Sequence, residues 1–159
     1  ADDVLDQGVS AIFPYLDATV VLSRGIYQEG RLPAINVLSS TSSILSPQIV
    51  GALHYQTALS AQSLLKQAVS HERIVSLVGE AELSTADLLT FRRAKKLSNF
   101  MTQSFFVAED QTGRSGTYVS RKITIEDVAD ILSGKYDAIP EEKFLYIGSI
   151  REITNAKAA

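Results

Sequence analysis

The chain has 159 residues, 45% of them hydrophobic and 21% charged, which suffices for one domain with a sizeable core and excludes disorder as its main state. Fifteen Lys and Arg against eighteen Asp and Glu leave a net charge of -3, so no overall positive field draws the chain to nucleic acid or anionic lipid. Zero cysteines exclude disulfide frameworks, thiolate nucleophiles and zinc ribbons and point to an intracellular address, while two histidines are too few for an all-protein zinc cage.

The opening residues Ala1, Asp2, Asp3, Val4, Leu5 and Asp6 carry neither an initiating Met nor a basic leader, so a cut or processed end is expected. Ala18, Thr19, Val20, Val21 and Leu22 are β-branched-rich and predict a strand. Ser23 then caps a short helix that stops at Gly30, and an extended piece follows. From Leu38 to Ser46 five Ser and one Thr make a low-information stretch that reads as a linker, and a domain boundary is placed there, dividing residues 1–45 from 46–159.

Ser46 before Pro47 is an N-cap with proline in the first turn, and apolar Ile49, Val50, Leu53, Ala58, Leu59, Leu64, Leu65 and Val69 predict a long helix to about Ser70. Ile74 to Val78 make a further turn or two closed by Gly79. Ser84 with Asp87 three residues on caps the next helix, giving a helical hairpin. That second helix puts Leu88, Leu89, Phe91, Leu97, Phe100 and Met101 on its apolar side and Arg92, Arg93, Lys95 and Lys96 on a solvated face. Phe105 to Ala108 reads as extended, with a turn from Thr112 to Gly116 before Thr117 to Val119. Thr124 and Asp127 bracket a third helix that Gly134 closes, Pro140 opens a short one, and Ser149 with Glu152 caps a last segment. The fold class is mainly α: a C-terminal helical bundle preceded by strand and helix elements of α/β type. No apolar run approaches the ~18–20 residues that span a bilayer, so the chain is expected to be soluble, without membrane insertion.

Catalytic chemistry is not built into these residues. No Gly-x-Ser-x-Gly occurs, and both histidines fall in helical stretches, His54 as a packing residue and His71 as a solvated position between two helices. Gly113, Arg114, Ser115 and Gly116 make an ordinary turn, since the P-loop spacing ending in Gly-Lys-Ser/Thr is absent. No catalytic and no metal-ligating residue is assigned, and by itself the chain is a non-enzymatic piece.

The order of several segments resembles the C-terminal third of the catalytic beta subunit of rotary F-type ATP synthases. The resemblance is carried by Asp2, Asp3 and Asp6, by Leu16 to Arg24, by Ile49, Val50, Gly51, His54 and Tyr55, and by Glu82, Leu83, Ser84 and Asp87. It continues through Phe105, Val107, Ala108, Glu109, Thr112 and Gly113 to Gly134, Tyr136, Asp137, Pro140 and Glu141. It implies that the chain lies downstream of the family's P-loop, catalytic Glu and Mg-coordinating residues, and that residues 1–45 end a nucleotide-binding domain while 46–159 form the C-terminal helical domain. ATP or ADP with Mg would bind the parent subunit, incompletely in this chain. Alpha-type subunits in an alternating ring and a central rotor shaft are the implied partners, in an intracellular complex peripheral to a membrane.

Residue by residue, the resemblance places Asp2, Asp3 and Asp6 in a rotor-contacting acidic loop, with Leu5 where a Thr is usual. Glu82, Leu83, Ser84 and Asp87 fall in the rotor-pushing hairpin tip, where Ala81, Thr85 and Ala86 replace three of the family's five acids. Phe105 matches one aromatic wall of the adenine pocket, Leu32 replaces the usual Tyr and Gln111 the usual Phe. Tyr55 matches a residue that reaches the non-catalytic nucleotide site, with Leu59 in place of its usual Arg neighbour. The alternative function is a helical interaction domain of a specialised, non-synthase rotary assembly with little or no nucleotide turnover.

Overall fold

The architecture is that of a computed structural model describing residues 7–155, so Asp2, Asp3 and Asp6 lie outside the described residues. Helix α1 (Gln7–Ile12) runs into a single 3-10 turn at Phe13–Tyr15, whose first-turn proline has no N–H to leave unpaired. Strand β1 (Ala18–Thr19) pairs antiparallel with β2 (Thr41–Ser42), Ala18 facing Ser42 and Thr19 facing Thr41, and Leu22 bridges Ile35 beyond it. The strand expected over 18–22 is therefore a broken edge, and the Ser-rich stretch expected as a linker supplies its partner. The serines make this possible by serving the backbone directly. Ser40 Oγ accepts from Val21 N–H at 3.0 Å and donates to Asn36 O at 2.7 Å. Between the strands, Ser23 caps helix α2 (Arg24–Gln28) by accepting from Ile26 N–H, and the turn after it passes through Gly30 at φ 72°.

Two corrections apply to the long helix. Helix α3 (Pro47–Val50) ends after one turn because Gly51 takes φ 84°, a left-handed conformation open to glycine at little cost, and α4 (Ala52–Val78) starts afresh. No break occurs near Ser70, since Ser70, His71, Glu72 and Arg73 contain nothing that stops a helix. The 27 residues of α4, at roughly 1.5 Å each, span about 40 Å. Gly79 at φ 90° ends it, Glu80–Glu82 make a 3-10 turn, and α5 (Thr85–Phe100) returns along it. Ser84 caps α5 as its spacing predicts: its Oγ accepts from Asp87 N–H at 3.1 Å and donates to Asp87 Oδ2 at 2.7 Å.

Helix α6 (Glu109–Thr112) follows a 3-10 turn at Phe106–Ala108, where an extended segment was expected. Helix α7 (Arg121–Ser133) starts three residues before Thr124, because Ser120 rather than Thr124 caps it by accepting from Ile123 N–H. Asp127, expected to bracket that start, is buried and serves the far end of the chain. Its Oδ2 accepts from Ser149 Oγ at 2.8 Å and Ile150 N–H at 3.0 Å, fixing the entry to α8 (Arg151–Asn155). The core joins Leu97 and Phe100 of α5 to Val128 and Ile131 of α7, Phe144 of the 3-10 turn Glu141–Phe144, and Ile150 and Ile153; Ala61, Leu64 and Leu65 of α4 pack against it.

The face of α5 turned to that core differs from the expected one. Leu89 and Met101 are 45% and 43% exposed, whereas Lys96, assigned to a solvated face, is 3% exposed. Its ammonium donates to Tyr136 O at 3.2 Å and Asp137 O at 2.6 Å, just past the end of α7 at Gly134. Arg93 lies beside it, forked onto the Asp137 carboxylate and donating to Leu132 O at 3.1 Å. The last carbonyls of a helix lack intrahelical partners; Arg93 supplies one to Leu132 O, and Lys96 serves the carbonyls of the turn that follows. Burial pulls the Lys96 ammonium below the ordinary lysine range, with Asp137 and Glu141 opposing that shift, and the Asp137 hydrogen bond raises the Arg93 guanidinium. Gly134 must stay glycine here: at φ 86°, an added Cβ would sit 2.4 Å from the Arg93 guanidinium.

Lys96→Ala takes the ammonium donor from Asp137 O and from Tyr136 O, the latter keeping its bond from Ile139 N–H, and is expected to destabilise the chain by about 1–3 kcal/mol in urea unfolding. Lys95→Ala, at an exposed ion pair, should cost under about 1 kcal/mol. Equal costs for the two substitutions would contradict a structural role for Lys96.

Candidate functional site

Two places concentrate the residues singled out by the sequence. The first is the hairpin tip between Gly79 and Asp87. Glu82 and Ser84 are exposed there and Leu83 is half-buried. Glu80 accepts from Arg92 at 3.2 Å and Lys95 at 3.4 Å, tying the tip back onto α5. The Arg92 hydrogen bond, aided by Lys95 and opposed by partial desolvation, holds the Glu80 carboxyl below its ordinary range. The Lys95 ammonium also lies 4.6 Å from the centre of the Phe91 ring.

Across the hairpin, His71 Nε2 of α4 stands 3.4 Å from Asp87 Oδ1 of α5. His71 is thus a half-buried interhelical contact in an unbroken helix, not a solvated position between two, and its Nδ1 is buried with no hydrogen-bond partner among the described residues. Of the acids at the tip, Glu80 and Asp87 are engaged with the hairpin stem. Glu82 faces solvent and has no partner among the described residues. Neither the Glu80 nor the His71 contact has a signature in the sequence, because each joins positions at least twelve residues apart that no helical period relates.

The second place is a ledge built where α5 ends. Gln103 N–H donates to Leu32 O at 2.8 Å, which brings the segment of Leu32 beside that of Phe105. Thr117 N–H donates to Ser104 O at 3.0 Å, and Glu109 Oε1 accepts from Gly116 N–H at 2.6 Å, folding the 112–117 turn back over the same strip. Gly116 is required there, since a Cβ would meet the Phe106 ring and backbone at 2.5 Å. Leu32 and Phe105 are half-buried. Gln111 is exposed on α6 within the folded-back loop, and Tyr55 sits on a different element, the first turn of α4, its N–H donating to Gly51 O.

Tyr146 was not singled out by the sequence, yet it joins the two flanks of this ledge. Its backbone takes φ 56°, a left-handed conformation that costs a residue with a side chain roughly 1–2 kcal/mol. Its hydroxyl donates to Gly30 O, and its ring lies under the Arg114 guanidinium at 4.0 Å.

A groove of about 480 Å³ runs between α4, α5 and the end of α7, lined by Ser60, Ser63, Gln67, Thr90, Arg93 and Ser133, and the Arg93 fork is already engaged by Asp137 and Leu132. A second, of about 630 Å³, lies by His54, Tyr118, Arg121 and Lys122. Among the described residues no group of three or more His, Cys, Asp or Glu converges as metal ligands would, and no helix is long and apolar enough to cross a membrane.

The fold is similar to a solved structure described as a unique ATP synthase subunit NeqB from Nanoarcheaum equitans, with a TM-score of 0.70 over 87% of this chain at 21% identity. The likeness is one of fold, and the chain covers 32% of that protein's length. Residues 44–138 match the family model described as the C-terminal domain of V and A type ATP synthase. That match takes in the whole α4–α5 hairpin, both clamping cations and all of α7. The chain therefore belongs to the rotary ATP synthase family as a bearer of this C-terminal domain.

Proposed function

We propose that the chain is the C-terminal part of a catalytic beta-type subunit of an F-type rotary ATPase, in which α5 acts as a rod between a nucleotide-facing ledge and a rotor-facing tip. The observation that carries this reading is the placement of the two ends of one helix. The N-terminal end of α5 is the tip, tied to its surroundings by Glu80, Arg92, Lys95, His71 and Asp87. Its C-terminal end leads within three residues to Gln103, hydrogen-bonded to Leu32. Sixteen residues of continuous helix span about 24 Å, so a shift at Leu32 and Phe105 reaches the tip without passing through a flexible joint.

In this reading residues 1–45 end the nucleotide-binding domain and 46–159 form the helical domain. ATP or ADP with Mg is held mainly by upstream parts of the parent. Phe105 with Leu32 and Gln111 forms part of the adenine pocket, and Tyr55 faces the non-catalytic site. Glu82, Leu83, Ser84 and Asp87, with Asp2, Asp3 and Asp6, face the central shaft, and alpha-type subunits alternate with this one in a ring peripheral to a membrane. A second reading, a helical interaction domain of a non-synthase rotary assembly with little turnover, is favoured by one observation: Leu32 and Gln111 offer no aromatic face for a base.

The tip pushes by shape and stiffness, because its engaged acids face the stem and exposed ion pairs contribute only about 0–1 kcal/mol. In single-molecule rotation of the assembled complex, Glu82→Ala should leave torque nearly unchanged, whereas two glycines inserted after Leu83 should lower it. The reverse order would overturn the steric account. At the other end, Phe105→Ala should weaken adenine nucleotide binding to the assembled complex by about 1–3 kcal/mol, the usual contribution of one stacked ring. Titration showing no loss would favour the interaction-domain reading instead.

A further inference from the structure

Tyr146 is an unusual residue to find in a left-handed backbone, and a strained position persists only where its surroundings hold it. Two contacts do so here. The hydroxyl donates to Gly30 O, in the turn two residues before Leu32, and the ring face receives the Arg114 guanidinium, three residues after Gln111. The partner atoms at Gly30 are 116 residues away along the chain, so this is a tertiary closure and not a local turn. Gly30 itself stands at φ 72°, which turns the chain from α2 towards Leu32.

We infer that Tyr146 is a positioning residue that clasps the Gly30–Leu32 turn to the Gln111–Arg114 loop, setting the spacing of the pocket that receives the adenine ring. This rests on the adenine-pocket reading proposed above. The clasp answers a difficulty in that reading. With Leu32 and Gln111 in place of aromatic rings, two of the three walls lack a rigid stacking plane. A pocket with softer walls must then hold its width by tying the wall segments to a common post. Tyr146 is suited to that role because its two ends do separate work. The hydroxyl fixes the Leu32 side through a backbone carbonyl, and the π face fixes the Gln111 side through a cation. Neither contact is made by the side chains of Leu32, Phe105 or Gln111.

The test uses the full-length subunit in its assembled complex, with MgATP and Mg-bound inorganic triphosphate as paired probes in calorimetric titration. Tyr146→Phe releases the Leu32 side while keeping the ring, and Arg114→Gln releases the Gln111 side. Each should weaken ATP binding on the order of 2- to 10-fold, the change expected for one exposed contact, and leave inorganic triphosphate unchanged because it has no base to place. Phe105→Ala serves as the control for the pocket itself. If Phe105→Ala weakens ATP binding while Tyr146→Phe and Arg114→Gln do not, the clasp is refuted and the pocket stands. If Phe105→Ala also has no effect, the pocket reading falls and the clasp with it. Equal weakening of ATP and triphosphate would show general loosening of the subunit and would likewise overturn a positioning role.

Discussion

The fold turns on two cations of one helix that fasten the end of another and the turn that follows it. Arg93 of α5 reaches Leu132 O in the last turn of α7 and the Asp137 carboxylate, and Lys96 reaches Tyr136 O and Asp137 O in the turn that follows the helix end at Gly134. Burying an ammonium costs several kcal/mol unless hydrogen bonds replace its water, so Lys96 is tolerated inside only with both carbonyls in place. The same requirement fixes the rotation of α5 about its axis. Leu97 and Phe100 then meet Val128, Ile131 and Phe144, and Leu89 and Met101 turn outward. Without the clamp, the apolar pattern of α5 would suit a different face.

From that fixed rotation the rest follows along the chain. Helix α4 packs on the same core through Ala61, Leu64 and Leu65, so the hairpin and the α7 layer share one set of side chains. Asp127 in the middle of α7 carries the order on to Ser149 and Ile150 at the entry to α8. A hairpin anchored this way at its base and tied at its tip by the Glu80 and His71 contacts has few places to bend. The proposed rod between ledge and tip needs that stiffness, and the steric view of the tip depends on it more than on any remaining charge there.

Much of this was legible in the sequence wherever the signal is local. Ser23 and Ser84 cap helices through contacts three residues away, and Gly79 and Gly134 mark stops through their own backbone freedom, so spacing alone finds them. Within the Arg92 to Lys96 run the solvated face holds for Arg92 and Lys95, and Arg93 and Lys96 depart from it because their partners lie about forty residues on, beyond any helical period. The spacing of Thr124 and Asp127 suggests a pair bracketing the third helix, but the partners of Asp127 are Ser149 and Ile150, again out of reach of any local pattern. The ordered segments led to the rotary ATPases, which the matched domain bears out. The pairing of Leu32 with Gln103 and the Tyr146 contacts join distant stretches through backbone carbonyls, which place no constraint on residue type that a single sequence could display.

The central claim is that α5 and α7 form one cooperative unit because of the clamp, and native-state hydrogen exchange on Lys96→Met tests it most directly. The substitution keeps most of the apolar stem and removes the charge and its donors. Amides of Phe91 to Phe100 and of Val128 to Leu132 are expected to exchange with a shared opening free energy in the unaltered chain, and both sets should lose protection together in the variant. Retained protection in α5 with loss confined to α7, or no loss in either helix, would contradict the account.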